Sequence, residues 1–112
     1  MITINNKEYA WKFKFSAQKR LEEISGLNAV EIAELIKSIK EKGIPFGFAL
    51  NVAYCGLKGG NKDLTVEQVE EILDNGTADD IIEIMRKYNE DMSQYLGVAE
   101  SPNLTSQAPL NN

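Results

Sequence analysis

Few residues in this chain have the chemistry needed for catalysis. There is no histidine, so the commonest general base and metal ligand is missing. Cys55 is the only cysteine and cannot form an intrachain disulfide. It lies in the most apolar stretch of the sequence, and apolar burial raises the pKa of a thiol and makes it a poor nucleophile. We therefore expect Cys55 to be a core residue, and we expect no catalytic residue.

We consider three of the pairs of adjacent acidic residues as candidate acid–base pairs. Neighbouring residues on a helix point in different directions, so such pairs do not share one proton. The glycine-rich stretch "GLKGGNK" lacks the Lys-Ser or Lys-Thr ending of a phosphate-binding loop. These patterns indicate solvated acidic faces and a turn. The pairs are Glu22-Glu23, Glu70-Glu71 and Asp79-Asp80.

The acidic stretch "GGNKDLTVEQVE" superficially matches a calcium loop. An EF-hand loop needs an acid at its first position, a glycine at its sixth and a glutamate at its twelfth. With Glu70 twelfth, Gly59 is first and Leu64 sixth, and both break the pattern. A loop that ends in a helix cap at Thr65 explains the stretch better. We expect neither a metal nor a cofactor.

Charge disfavours two classes of partner. The net charge is −5 and the isoelectric point is about 4.7, so phosphate backbones and anionic lipids are repelled. The 12 Lys and Arg residues include no run of three. The N-terminal "MITINNKEYAWKF" lacks the charged start and apolar block of a signal peptide. We expect no nucleic acid and no membrane among the partners.

The first residues alternate with a period of two, which predicts a β-hairpin. Residues 5–7 form its turn, because Asn tolerates positive φ. The second strand should present an aromatic face made of Tyr9, Trp11, Phe13 and Phe15. An isolated hairpin is marginal in water, so that face must pack on helices.

Helical spacing and capping residues predict about five helices after the hairpin. Ser16 should cap the first, which should run to about Ser25 and bury Ala17, Leu21 and Ile24. Residues 46–57 would be apolar on every side of a helix, so that helix must be buried or span a membrane. A membrane-spanning helix needs about 20 residues and this stretch has about 12, so we predict a central buried helix. Gly56, Gly59, Gly60 and Asn61 should break the chain at its end. The predicted starts are Ser16, Asn28, Pro45, Thr65 and Thr77, and the predicted stops are Gly26, Gly43, Gly76 and Gly97.

These elements predict a mostly α (α+β) fold, an N-terminal hairpin packed on a bundle of about five helices. The domain should cover residues 1–97. Residues 98–112 are polar, contain two prolines and show no periodicity, so we expect a disordered, flexible C-terminal tail.

The last helix carries the one pattern that also fits a binding surface. Its apolar residues recur at spacings of three and four, as on a helix that packs against another chain. Met and Tyr suit adaptable interfaces, but the same stripe would also pack on the protein's own core. The candidate partner-binding residues are Ile81, Met85, Tyr88, Met92 and Tyr95, and the aromatic face of the hairpin is a second candidate surface.

The order of these elements resembles tail assembly chaperones of long-tailed phages and prophages of Gram-positive bacteria. In that family a hairpin of the form I-x-I-N-G-K-E-Y leads into a helix with F-x-x-x-x-x-L-E-E. The family then has an apolar helix that ends in a "GLK"-like break, which residues 46–58 match. It continues with the pattern "LTxEEVEEILD", which residues 64–74 match. The resemblance covers about residues 1–96, with Asn6 where the family often has Gly. The matching hairpin and first-helix residues are Ile2, Ile4, Asn5, Lys7, Glu8, Tyr9, Phe15, Leu21, Glu22 and Glu23.

The resemblance implies a non-catalytic assembly factor. Such a protein binds the tape measure protein, keeps its long helices soluble and helps recruit tail tube subunits. It acts in the host bacterial cytoplasm, can self-associate and is absent from the mature virion. The alternative is a small acidic adaptor or regulatory protein-binding module of phage or bacterial origin. A gene position beside a tail tube gene and a very long tape measure gene would favour the chaperone.

Overall fold

The computed structural model describes residues 1–60 and 63–97. In these ranges a two-stranded antiparallel sheet is followed by five helices, which confirms the predicted mostly α architecture with an N-terminal hairpin. The predicted disorder of residues 98–112 and the predicted break at Asn61 lie outside the described residues. The elements are β1 (Ile2–Ile4), β2 (Lys7–Tyr9), α1 (Phe15–Ser25), α2 (Ala29–Lys42), α3 (Phe46–Gly59), α4 (Val66–Asp74) and α5 (Ala78–Leu96).

The hairpin turns through two residues. Ile4 pairs with Lys7, so Lys7 belongs to β2 and not to the turn as predicted. Asn5 and Asn6 have φ values of 52° and 65°. A two-residue turn with both central residues at positive φ matches the twist of the flanking strands, and Asn accepts that backbone more readily than most residues.

The predicted second strand is too long. Strand β2 ends at Tyr9, and Phe15 is the exposed first residue of α1 instead of part of an aromatic strand face. Trp11 and Phe13 are buried as predicted. The chain between them leaves the hairpin because it lies on α3, where the Lys12 amide donates a hydrogen bond of 3.1 Å to the Gly56 carbonyl.

Glycines on α3 make this close approach possible. A Cβ at Gly56 would overlap the Trp11 ring, and one at Gly59 would overlap the Lys12 carbonyl oxygen. The prediction that Gly56 breaks the chain is wrong, because α3 continues through it; the helix ends at Gly59, with Gly60 as its C-cap. The lack of a side chain at Gly56 and Gly59 serves packing between the helix and the chain that crosses it.

The helix starts were largely predictable. Asn28 and Thr65 are the N-caps of α2 and α4, each in a reciprocal capping box. At α5 the Thr77 amide donates to the Asp80 carboxylate at 2.8 Å. The predicted cap at Ser16 is wrong, since α1 begins at Phe15 and its N-cap is Lys14, whose side chain makes no capping hydrogen bond.

Helix α3 forms the centre of the core and packs against α1, α4 and α5. The stretch predicted to be buried is indeed buried from Phe48 to Leu57, apart from half-buried positions such as Leu50 and Tyr54. Two predictions of burial fail at the margins. Phe46, in the first turn of α3, and Ile24, in the last turn of α1, are exposed; each lies at a helix end, beyond the buried residues of its helix.

Candidate partner-binding surface

Helix α5 is held in place by the hairpin and by the chain that follows it. At its start, the Asn5 amide donates to Asp80 Oδ1 at 3.2 Å. Further along, Trp11 Nε1 donates to Asp91 Oδ2 at 2.7 Å. Phe13 meets Tyr88 edge-on, with ring centroids 4.8 Å apart. These contacts fix the rotation of α5 and therefore decide which of its side chains face outward.

The five predicted partner-binding residues separate into three groups. Met85, Tyr88 and Met92 are buried in the protein's own core. Ile81 is half-buried against that core. Tyr95 is 46% exposed, and the neighbouring Leu96 is 52% exposed. The stripe thus packs internally along most of α5 and reaches solvent only in the last turn.

At that last turn an open groove of about 530 Å³ lies between α1, α2 and α5. We call it the apolar groove, because every lining residue in the described part of the chain except Gln18 has an aliphatic, thioether or aromatic side chain. Helix α1 contributes Phe15 and Gln18, α2 contributes Ala29, Val30, Ile32 and Ala33, and α5 contributes Tyr88, Met92, Tyr95 and Leu96.

The rim of the apolar groove exposes large apolar side chains from all three helices. Phe15 is 62% exposed and Val30 is 63% exposed, in addition to Tyr95 and Leu96. Four such residues around one depression form a continuous apolar patch. Patches of this kind on soluble proteins mark interaction sites more often than singly scattered apolar residues do.

The polar floor of the groove is internally hydrogen-bonded. The Tyr88 hydroxyl donates to Gln18 Oε1 at 3.2 Å, and Gln18 Nε2 donates to Glu22 Oε2 at 3.1 Å. Burial, assisted by the negative charge of Glu22, raises the pKa of Tyr88. The phenol therefore stays protonated and keeps Gln18 in place, so a ligand meets this floor as a fixed surface.

Three of the five predicted residues, Tyr88, Met92 and Tyr95, line the apolar groove, whereas Ile81 and Met85 do not. Phe15 belonged to the aromatic hairpin face, the second candidate surface, but it was assigned to a strand and lies at the start of α1. The wall formed by α2 was not predicted, and Val30 was not among the candidate residues. The available signal for Val30 was an apolar residue on α2 that falls off the stripe formed by Ile32 and Ile36.

The residues considered for catalysis lie apart from the groove's apolar rim. Cys55 is fully buried, and burial raises its pKa to about 12 against a smaller opposing effect of Arg20. Its thiol is therefore protonated at neutral pH. Glu22 and Glu23 diverge, since Glu22 accepts from Gln18 while Glu23 pairs with Lys19 at 3.0 Å.

Within residues 1–60 and 63–97, no three or more Cys, Asp or Glu side chains form a group that could hold a metal ion. No helix within the same ranges is long and apolar enough to cross a bilayer.

Comparison with protein-family models, with curated proteins and with solved structures found no match for this chain.

Proposed function

We propose that this protein is a non-catalytic tail assembly chaperone of a long-tailed phage or prophage. It binds the tape measure protein in the host bacterial cytoplasm, helps recruit tail tube subunits and does not remain in the mature virion. The observation that carries the binding function is the apolar groove with its exposed rim. The identity of the client rests on the resemblance of residues 1–96 to that chaperone family.

The groove suits a helical client. Amphipathic helices bind in grooves between helices through a few apolar anchor residues spaced along one face. The volume of about 530 Å³ falls within the range of roughly 300–1,000 Å³ typical of binding pockets. A groove bordered by Phe15, Val30 and Tyr95 therefore has room for such anchors, and a tape measure protein offers long helices that need cover before assembly.

The direct test is co-expression with the tape measure protein encoded beside it. The wild-type chain should increase the soluble fraction of the tape measure protein and co-purify with it. The double variant Tyr95→Asp/Leu96→Asp should lose both effects, because it places two charges on the rim of the groove. Both side chains are about half exposed, so the fold should tolerate the change.

A matched control is available on the same helix. Ile82 is 57% exposed and does not line the groove, so Ile82→Asp should keep full co-purification. Met92 is unsuitable for this test because it is buried, and Met92→Asp would destabilise the core. If wild type gives no rescue, or if the groove variant performs as well as Ile82→Asp, the proposal is wrong.

Recruitment of tail tube subunits is tested in the same preparation. Purified tail tube protein should bind to the complex of wild-type chain and tape measure protein more than to the tape measure protein alone. Equal binding to both would remove recruitment from the proposed function and leave client binding intact.

A further inference from the structure

A second cavity, of about 450 Å³, lies directly beside the apolar groove. Phe15 and Tyr95 line both depressions and form a ridge between them. We call the second one the basic cavity, because four cationic side chains line it and none of its lining residues within 1–60 and 63–97 is Asp or Glu. These cations are Lys12, Lys14, Arg20 and Lys58.

The four cations come together only in the fold. Lys12 and Lys14 lie on the chain between β2 and α1, Arg20 lies on α1, and Lys58 lies in the last turn of α3. The crossing of residues 10–14 over α3 brings these three segments to one place. Their separation in sequence explains why the sequence analysis found only scattered basic residues.

The charges in the basic cavity are not neutralised by the described part of the chain. Within residues 1–60 and 63–97, none of the four cations has a carboxylate oxygen within 4.0 Å, whereas Lys19, Arg86 and Lys87 do form ion pairs. Local positive potential is thus concentrated at one site of a chain whose net charge is −5.

The start of α1 adds to this field. Ser16 and Ala17, in the first turn of α1, line the basic cavity. That turn contains no acidic residue, and the N-cap Lys14 makes no side-chain capping hydrogen bond. The first amides of a helix carry partial positive charge, so they reinforce the four cations in attracting an anion.

We propose that the apolar groove and the basic cavity form one docking surface for an amphipathic helix that carries a row of carboxylates along one flank of its apolar stripe. The stripe occupies the groove, and the carboxylates reach across the Phe15–Tyr95 ridge to the basic cavity. The proposal rests on the proposed function for the groove and adds the charge pattern of the helix that the groove selects.

Two features favour an acidic helix over nucleic acid. The ridge between the two depressions is aromatic, and no Lys or Arg is among the described residues that line the groove. A chain of phosphates lying across both depressions would therefore find cations in the basic cavity but none of these in the groove. The net charge of −5 also repels a long polyphosphate, while a few carboxylates interact with the local field alone.

The test measures binding of fluorescent synthetic helical peptides to the full chain. Each peptide is a helix of about 20 residues with the same apolar stripe. The peptides differ only in the row of residues beside that stripe, which is Glu, Gln or Lys. The Glu peptide should bind about tenfold more tightly than the Gln peptide, as expected for several partly exposed ion pairs, and the Lys peptide should bind weakest. Raising the salt from about 50 mM to about 300 mM should reduce the advantage of Glu over Gln.

A charge-removal variant assigns the effect to the basic cavity. Lys12→Gln/Lys14→Gln/Lys58→Gln should bind the Glu and Gln peptides almost equally and keep wild-type affinity for the Gln peptide. The matched control is Lys37→Gln/Lys40→Gln/Lys42→Gln, which removes three exposed lysines of α2 that line neither depression. This control should retain the tenfold preference, and circular dichroism should show that both variants are folded.

The outcomes separate this proposal from the proposed function. If the Glu and Gln peptides bind equally to wild type, or if both lysine variants show the same preference between them, the proposed charge pattern is wrong. Loss of Gln-peptide binding in Tyr95→Asp/Leu96→Asp would in that case still support the groove as a binding site. If a single-stranded oligonucleotide of similar length binds more tightly than the Glu peptide and loses binding in the basic-cavity variant, the acidic helix is overturned. If no peptide responds to the Tyr95→Asp/Leu96→Asp change, the groove itself fails, and the proposed function fails with it.

Discussion

Helices α3 and α5 touch each other in the core, yet they end in different ways. The last turn of α3 lies under residues 10–12, which contact its glycines so closely that no side chain would fit between them. The last turn of α5 presents Tyr95 and Leu96 to solvent on the rim of the apolar groove. Apolar character alone therefore does not separate scaffold from binding surface. What separates them is whether another segment of the chain covers the helix.

The largest test of this difference is the same substitution on both helices. Leu57→Ala on α3 removes a fully buried side chain and should lower the free energy of unfolding by about 2–5 kcal/mol. Leu96→Ala on α5 removes a side chain that is 52% exposed and should change it by less than about 0.5 kcal/mol. Urea denaturation followed by circular dichroism measures both values. Similar losses for the two variants would contradict the division between covered and uncovered helix ends.

The glycines of α3 provide a second test. Gly56→Ala should destabilise the protein by about 1–3 kcal/mol, because the new methyl group overlaps the Trp11 ring in a packed core. Gly47→Ala adds the same methyl group near the start of the same helix, with no atom within 4 Å. It should stabilise the protein by roughly 0.5–1 kcal/mol, since Gly costs about that much relative to Ala within a helix.

The same urea denaturation experiment compares the two glycine variants. A loss of stability in both would mean that α3 is crowded along its whole length. A gain in both would mean that residues 10–12 do not press on the glycines as described.

Much of the scaffold was predictable because its signals are local. The capping boxes at Asn28 and Thr65, the apolar stretch that became α3 and the Asn turn of the hairpin each depend on residues a few positions apart. The errors occurred where distant segments meet. The alternation of apolar and polar residues continues to Phe15 in the sequence, but strand β2 ends at Tyr9. Residues 10–12 leave the strand and pack instead against the glycines of α3.

The candidate site was less predictable than the scaffold for the same reason. Residues on one helix can be placed on a face from their spacing, and this found Tyr88, Met92 and Tyr95. Spacing on one helix does not reveal which neighbouring helix covers that face. It therefore did not show that Tyr88 and Met92 are mostly buried, and it gave no sign of the wall formed by Val30. The basic cavity draws on three separate segments, so no local pattern announced it.

Alkaline pH probes the covered part of the core. The pKa of Cys55 is about 12 in the folded chain, against an ordinary value of 9.0, because burial disfavours the thiolate. Between these values the unfolded chain binds fewer protons than the folded chain. The contribution to stability is therefore complete below pH 9 and is lost as the pH rises towards 12. At pH 10 the loss should be at most about 1.4 kcal/mol.

Urea denaturation at pH 8, 9 and 10 tests this expectation, with Cys55→Ala as the comparison. The variant should be less stable at every pH, because it leaves a small cavity, but it should lose less stability between pH 9 and pH 10. Tyr88, whose pKa is also raised by burial, continues the decline at higher pH in both proteins. An equal pH dependence of wild type and variant over that interval would show that the thiol ionises normally and that α3 is more accessible than its burial indicates.

The smallest effect is expected on the outer face of α5, where side chains form ion pairs in solvent. Arg86 pairs with Glu83 at 2.8 Å and with Glu90 at 3.4 Å, and all three side chains are substantially exposed. The hydrogen bond from Arg86 lowers the pKa of Glu83. Arg86→Gln should raise the pKa of Glu83 towards its ordinary value, measured by NMR titration, and should lower the free energy of unfolding by less than about 1 kcal/mol.

Lys19→Gln on α1 is the control for this outer face, since Lys19 forms a single exposed pair with Glu23 at 3.0 Å. It should cost about 0.3–0.5 kcal/mol at most, and it should leave the pKa of Glu83 unchanged because the two pairs lie on different helices. A loss of several kcal/mol on Arg86→Gln would mean that the outer face of α5 supports the fold as strongly as α3 does. Exposure of a side chain on α5 would then no longer indicate a small contribution to stability. The distinction drawn between covered α3 and uncovered α5 would be wrong.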